Sequence, residues 1–502
     1  MVMIAQLEAQ RIELQALLDA EKTSEQRNKM GQFATPSALA HDVLAHAQAF
    51  LPKQSKVRFL DPALGSGAFY AALLRVFGPR QVTEAQAFEI DPHYGQTAER
   101  LWTPSGLKLT HGDFTRAEPQ PHFDLVICNP PYVRHHHLSM SEKQHLAERT
   151  RAAAGLRLSG LAGLYCHFLL QAHAWMAPGA IAGWLIPSEF MDVNYGQQIK
   201  DYLLQQVTLL HIHRFDPRDV QFSDALVSSA VVWFRNAPPP NNHAARFTFG
   251  GSLAQPAQAL SVAATDLSAE LKWTRFPVQG TRLANRERRT VGDLFKVKRG
   301  LATGDNGFFV LNEADVLERQ LPIQALRPIL PSARYVEGDS INADADGLPS
   351  NTRRLFLLDP RLDQADIEQQ FPALAAYLAE GRARGLHERY LCSKRKRWYD
   401  QEQRDAAPIV CTYMGRSDGK NGRPFRFIRN RSQATVANSY LAMYPTPLLQ
   451  ERLATDPTLL DRVWEQLNAI DPADLLGEGR VYGGGLHKLE PKELAKVPLA
   501  LD

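Results

Sequence analysis

Cysteine is scarce in this chain. The 502 residues hold four, Cys128, Cys166, Cys392 and Cys411, and none stands at disulfide-framework or metal-ligand spacing from another. That usage points to a reducing compartment, and a cytoplasmic protein is expected. Long apolar runs are also missing, so no membrane-spanning helix is expected. The first thirty residues are interrupted by Glu8, Glu13, Asp19 and Glu21 and lack a signal-peptide profile. An excess of either charge is missing too. Fifty-seven Lys and Arg face 54 Asp and Glu, for a formal net charge of +3. A polyanionic partner must therefore be met by local clusters and not by the molecule as a whole. Finally, the run His135-His136-His137 has no Cys or carboxylate at ligand spacing, so no metal is expected.

What is present is a series of strand, loop and helix units. Residues 1–30 read as an N-terminal helix, with Leu7, Ile12, Leu14, Leu17 and Leu18 apolar among charges. Residues 31–240 read as a catalytic domain. Within it Val57–Leu60, Gln86–Asp91, Leu107–Phe114 and Phe123–Cys128 are successive strands separated by helical patterns. Ala237-Pro238-Pro239-Pro240-Asn241-Asn242 has linker composition, so 241–288 is expected to bridge to a second domain at 289–502.

Each of the four strands ends on residues with chemistry. The first leads into Asp61-Pro62-Ala63-Leu64-Gly65-Ser66-Gly67, where glycines let backbone approach a bound nucleoside. The second ends near Glu89, about 20 residues on, where nucleotide-binding sheets place a ribose-binding acid. The third ends at Asp113 and Phe114, suited to an adenine amino group and ring. The third glycine of the dinucleotide fingerprint is missing, so a cofactor without a pyrophosphate fits better, and S-adenosylmethionine is such a cofactor.

The fourth strand runs into Asn129-Pro130-Pro131-Tyr132. The prolines stiffen the backbone and leave carbonyls free to accept. An exocyclic amine on a nucleobase is a poor nucleophile while its lone pair is conjugated with the ring. The Asn129 side-chain oxygen and the Pro130 carbonyl can hold both its hydrogens and turn that lone pair toward an electrophile. Tyr132 offers a face for an extruded base, and Phe222 is a candidate for the other face.

Basic residues gather late in the chain. Lys394-Arg395-Lys396-Arg397 precede Trp398-Tyr399, and Arg423, Arg426 and Arg429 alternate with Phe425 and Phe427. This interleaving of cations and aromatics is expected to bind nucleic acid.

Taken together, these stretches resemble the amino-methylating DNA methyltransferases, specifically the adenine-N6 family of TaqI type in its gamma arrangement. The segments carrying the resemblance are Gly31–Pro36, Asp61–Phe69, Glu89, Asp113, Asn129–Tyr132 and Phe222, with Gly300–Asn306, Trp398-Tyr399 and Gly483–Pro491 in the second domain. Leu64 stands where many members carry Cys. The resemblance implies a class I methyltransferase fold, a Rossmann-like seven-stranded mixed sheet, followed by an α+β recognition domain. It implies that Thr35, Asp61, Pro62, Glu89, Asp113 and Pro131 hold S-adenosylmethionine, beside the loop residues Ala63, Leu64, Gly65 and Gly67 and the ring of Phe114. It further implies double-stranded DNA as partner, a monomer, and cleavage left to a separate restriction endonuclease. Cytosine-N4 or RNA-adenine methylation would use the same hydrogen bonds, and a cofactor-sensing DNA-binding module is the non-enzyme alternative.

Overall fold

The computed structural model describes residues 2–216, 219, 228–277, 289–416, 423–482 and 486–499. Phe222 lies outside them. The chain divides into two compact units, Met1–Leu283 with Tyr482–Gly484, and Ala284–Val481 with Gly485–Asp502.

The first unit is built on one mixed sheet. Its strands are β1 (Val57–Asp61), β2 (Val82–Glu89), β3 (Leu107–His111), β4 (Phe123–Cys128), β5 (Met176–Pro187), β6 (Thr208–Arg214), β7 (Ser229–Arg235), β8 (Ala244–Gly251) and β9 (Pro256–Ala263). They lie in the order β3-β2-β1-β4-β5-β7-β6-β8-β9. The first five are parallel, and β7 runs antiparallel between β5 and β6. Successive residues of the central strands enter opposite cores. Phe59, Leu125 and Ile127 pack on one face, and Leu60, Val126 and Cys128 on the other. This two-sided burial is why Phe123–Cys128 reads as an unbroken apolar run. Strand order reverses at β1, between β2 and β4, and the crevice beyond the carboxyl ends there is where open α/β sheets bind ligands.

Seven strands were expected and the sheet has nine. Residues 244–263, expected within a bridging segment, form the antiparallel pair β8 and β9, with β8 parallel to β6. Ala245 and Phe247 of β8 are buried in the core, so the pair covers the β6 edge that would otherwise present unpaired backbone groups. The Pro-Pro-Pro-Asn-Asn stretch is a turn into β8, with Asn242 at φ 56°.

A chain of histidines joins the helix Ser37–Gln48 to this edge of the sheet. His46 Nε2 and His211 Nδ1 are 2.8 Å apart, and His211 Nε2 and His213 Nδ1 reach Thr248 Oγ1 at 2.7 and 2.8 Å. Burial pushes His211 down to about 2, and His46 and His213 down to about 4, with Arg246 adding to each. The folded sites therefore refuse protons that the unfolded chain accepts below its ordinary 6.5. Each histidine contributes stability that is whole above that value and drains away as pH falls toward 4, by about 1.4 kcal/mol per pH unit. In urea unfolding, H46Q is expected to lose about 2 kcal/mol less than the parent between about pH 7 and about pH 5. Parallel losses in the two proteins would contradict a neutral folded His46.

The second unit is α+β. A five-stranded sheet orders Phe295–Arg299, Tyr440–Pro445, Ile409–Thr412, Phe427–Asn430 and Ser340–Ile341, beside two three-stranded sheets.

Candidate active site

Asn129 stands at the end of β4 with its amide oriented by the segment Gly31–Thr35. Its Nδ2 donates to the Phe33 carbonyl at 3.0 Å and to Thr35 Oγ1 at 3.1 Å. Both donors are thus spent, and Oδ1 is buried without a hydrogen-bond partner. Flipping the amide would set oxygen against the Phe33 carbonyl, so the network itself selects this orientation. A bare buried acceptor is costly unless something arrives to use it. The same segment fixes the loop backbone, since the Tyr132 N–H donates to the Gly31 carbonyl at 3.1 Å. Gly31 has φ 65°, and a Cβ there would lie 2.4 Å from the Tyr132 nitrogen, so only glycine permits this approach.

In front of Asn129 lies a cavity of about 340 Å³, within the usual size of small-molecule sites. Of the expected cofactor residues, Thr35, Pro62, Ala63, Leu64, Gly65, Glu89, Asp113, Phe114 and Pro131 line it together with Asn129. Asp61, Gly67, Pro130 and Tyr132 are not on its wall. Asp61 is completely buried, one oxygen accepting from the Ala63 N–H at 3.1 Å and the other unpartnered. Burial pushes its carboxyl up to about 8. Glu89 is raised by burial as well. Its oxygens accept from the Gly65 N–H at 2.8 Å and the Asp91 N–H at 2.7 Å, so it ties the glycine loop to the end of β2 while lone pairs remain for a ligand. Asp113 accepts from the Thr115 N–H and hydroxyl at 2.9 and 2.7 Å. Gly67, at φ 92°, supports the loop from behind, where a Cβ would meet the Trp102 indole at 2.4 Å. Tyr132 is 9 % exposed, with its hydroxyl donating to the Leu185 carbonyl at 3.0 Å and its ring 5.5 Å from that of Phe33.

Comparison with known proteins agrees with this arrangement. Residues 84–221 match the family described as Eco57I restriction-modification methylase, and residues 279–501 match the Type II methyltransferase M.Eco57I C-terminal domain. The chain belongs to the Type II restriction-modification methyltransferases. It is 26 % identical over 494 residues to Type II methyltransferase M.AccI of Acinetobacter calcoaceticus, covering 94 % of this chain and 85 % of that one. It is 28 % identical over 492 residues to Type II methyltransferase M.XamI of Xanthomonas campestris pv. amaranthicola, covering 93 % and 85 %. Its fold resembles that of the Type IIL restriction-modification enzyme MmeI, solved in complex with DNA. That match has a TM-score of 0.60 at 12 % identity, over 96 % of this chain and 70 % of that one. The class I methyltransferase fold and S-adenosylmethionine as methyl donor follow for this methyltransferase. The residues present fit the donor: a glycine cradle, two acids at adjacent strand ends, and an unused acceptor on Asn129 beside the cavity.

The N-terminal helix of this methyltransferase does more than dock. Gln15 and Asp19, from the helix Val2–Ala20, line the cavity. Arg11, 3 % exposed, forms a double hydrogen bond with Glu8 at 2.7 and 2.8 Å and also donates to Ser66 Oγ of the glycine loop at 2.9 Å and to Ser37 Oγ at 2.8 Å. A second tie joins Lys22 and Gln32 to Asp91 just past β2. The amphipathic pattern gave no hint of this. The one available signal was an Arg and a Glu three apart on a face otherwise set for burial.

In the second unit of the methyltransferase, the basic residues expected on nucleic acid separate into two groups. Arg395 donates to the Ala302 and Thr303 carbonyls, both at 2.9 Å, and Arg397 pairs with Asp363 and Asp400. Arg426 pairs with Asp339, and Arg429 with Asp461. These four guanidiniums are committed to the fold. Lys394, Lys396 and Arg423 are exposed. Phe425 and Phe427 are buried in one core, and within the strand Phe427–Asn430 Ile428 enters another, so the rings are packed in the fold and not presented beside the arginines. Among the described residues, no group of His, Cys, Asp and Glu is arranged to hold a metal, and no helix is long and apolar enough to cross a membrane.

Proposed function

We propose that this methyltransferase modifies the N6 amino group of adenine within a specific sequence of double-stranded DNA, as the modification partner of a separate restriction endonuclease. The observation that carries the reading is the bare Asn129 Oδ1 at the edge of the cavity. Bound there, S-adenosylmethionine supplies an electrophilic methyl group on a sulfonium. Asn129 Oδ1 and the Pro130 carbonyl accept the two amino hydrogens of the target base, which draws the nitrogen lone pair out of conjugation and toward that methyl. Phe33 and Thr35 keep the amide from rotating, so the acceptor is oriented before the base arrives. Neither residue takes the proton, which passes to water once the nitrogen carries the methyl.

The adenine must leave the duplex to reach a buried acceptor, and the Tyr132 ring, with Phe222, is assigned to stack on it. Thr35, Asp61, Pro62, Ala63, Leu64, Gly65, Gly67, Glu89, Asp113, Phe114 and Pro131 are assigned to the cofactor. Lys394, Lys396 and Arg423 remain candidates for phosphate contact. DNA as substrate is supported by the fold's likeness to MmeI, which was solved in complex with DNA.

Labelled methyl transfer to genomic DNA, followed by nucleoside analysis, tests the reading. N6-methyladenine is the expected product. N4-methylcytosine, or transfer to RNA in preference to DNA, would overturn it.

A further inference from the structure

Within the second unit, three exposed residues form a stack that the basic clusters of the sequence do not include. The guanidiniums of Arg334 and Arg353 each lie 4.6 Å from the centroid of the Tyr335 ring. Tyr335 is 43 % exposed. Among the described residues, neither guanidinium has an ion pair, although Glu337 is three residues from Arg334. Two other carboxylates of this stretch are engaged elsewhere: Asp339 pairs with Arg426, and Asp344 with Arg354. Two unneutralised cations are thus gathered around one ring at the surface, against their mutual repulsion.

The turn that carries them is held rigidly. Arg426 donates to the Ala333 and Val336 carbonyls at 3.0 and 3.1 Å, to the Gly338 carbonyl at 2.6 Å, and to Asp339 Oδ1 at 2.8 Å. Val336, in the middle of the turn, is buried. One guanidinium thus fixes both ends of the segment 333–339, and its fixed geometry presents Arg334 and Tyr335 outward. Stacking on the ring in turn restricts the two arginines, so less freedom is lost when their forks meet a planar or tetrahedral oxyanion.

We infer that Arg334, Tyr335 and Arg353 form a preorganised contact for the phosphate backbone of duplex DNA, with Arg426 as the positioning residue behind it. The inference rests on DNA being the substrate. It assigns to Arg426 an indirect part in the binding that its place in the sequence suggested was direct.

Binding of the full chain to a fluorescent random-sequence duplex, measured across a salt series, tests this. Each phosphate contact adds about 0.9 to the slope of log affinity against log salt. R334Q and R353Q are each expected to bind more weakly and to lower that slope by about 1. Y335L is expected to weaken binding while leaving the slope near that of the parent, because no charge is removed. R462Q serves as control: Arg462 is exposed but already paired with Asp456, so its slope is expected to stay at the parent value. Thermal melting of all variants is expected to match the parent, as the altered side chains are exposed. Unchanged slopes in R334Q and R353Q would overturn the inference, as would an equal drop in R462Q, which would reveal a simple net-charge effect. A parent chain that neither binds nor methylates DNA would overturn the proposed function itself, and this contact with it.

Discussion

N129A is expected to lower kcat by about 10²- to 10³-fold while changing the affinities for S-adenosylmethionine and DNA only a few-fold. The asymmetry follows from the geometry. Asn129 touches the protein through Nδ2 and keeps Oδ1 for a hydrogen that matters only as the amine becomes a nucleophile. An interaction that strengthens toward the transition state appears in kcat and not in binding. Single-turnover transfer with both substrates saturating isolates that step. A variant retaining more than about a tenth of parental activity would remove Asn129 from the mechanism. T35V takes away one of the two acceptors that orient the amide and leaves the Phe33 carbonyl in place, so its loss in kcat is expected to be smaller, with weaker binding of S-adenosylmethionine beside it because Thr35 also lines the cavity.

R11M is expected to have the largest effect on stability in the first unit. Its removal strands Glu8, which is 6 % exposed and left with Ser37 as its remaining side-chain partner. Breaking one half of a buried ion pair costs about 3–5 kcal/mol, more than the pair contributes relative to two apolar residues, because the remaining charge stays desolvated. The double variant E8L/R11M is therefore expected to recover most of that stability. Cofactor affinity separates a structural role from a positioning one. Ser66 loses its side-chain donor in both variants, so the glycine loop keeps its ties to Glu89 and Trp102 but lacks the one to the helix, and binding of S-adenosylmethionine is expected to be about tenfold weaker in each. Hydrogen exchange locates the change: the amides of the helix Val2–Ala20 and of the glycine loop are expected to lose protection together. Recovery of stability with full recovery of affinity would show that Arg11 only packs the helix.

The sequence alone determined what is local. Strand ends recurring at the spacing of βα units located Gly65, Glu89, Asp113 and Asn129, because in a parallel sheet every such end faces the same crevice. The prolines after Asn129 announced a stiff acceptor loop for the same reason, since their geometry is their own. Tertiary structure decided whatever depends on partners distant in the chain. Which end of Asn129 is spent depends on Phe33, 96 residues away, and the hold on the glycine loop depends on Arg11, 55 residues from Ser66. Whether an arginine faces solvent or a carbonyl was equally hidden. Arg426 and Arg334 look alike in a sequence, and only the chain's path through 333–339 makes one a tie and leaves the other exposed at the surface. Residue type sets what a group can bond to, but the fold sets which of those bonds remain to be made.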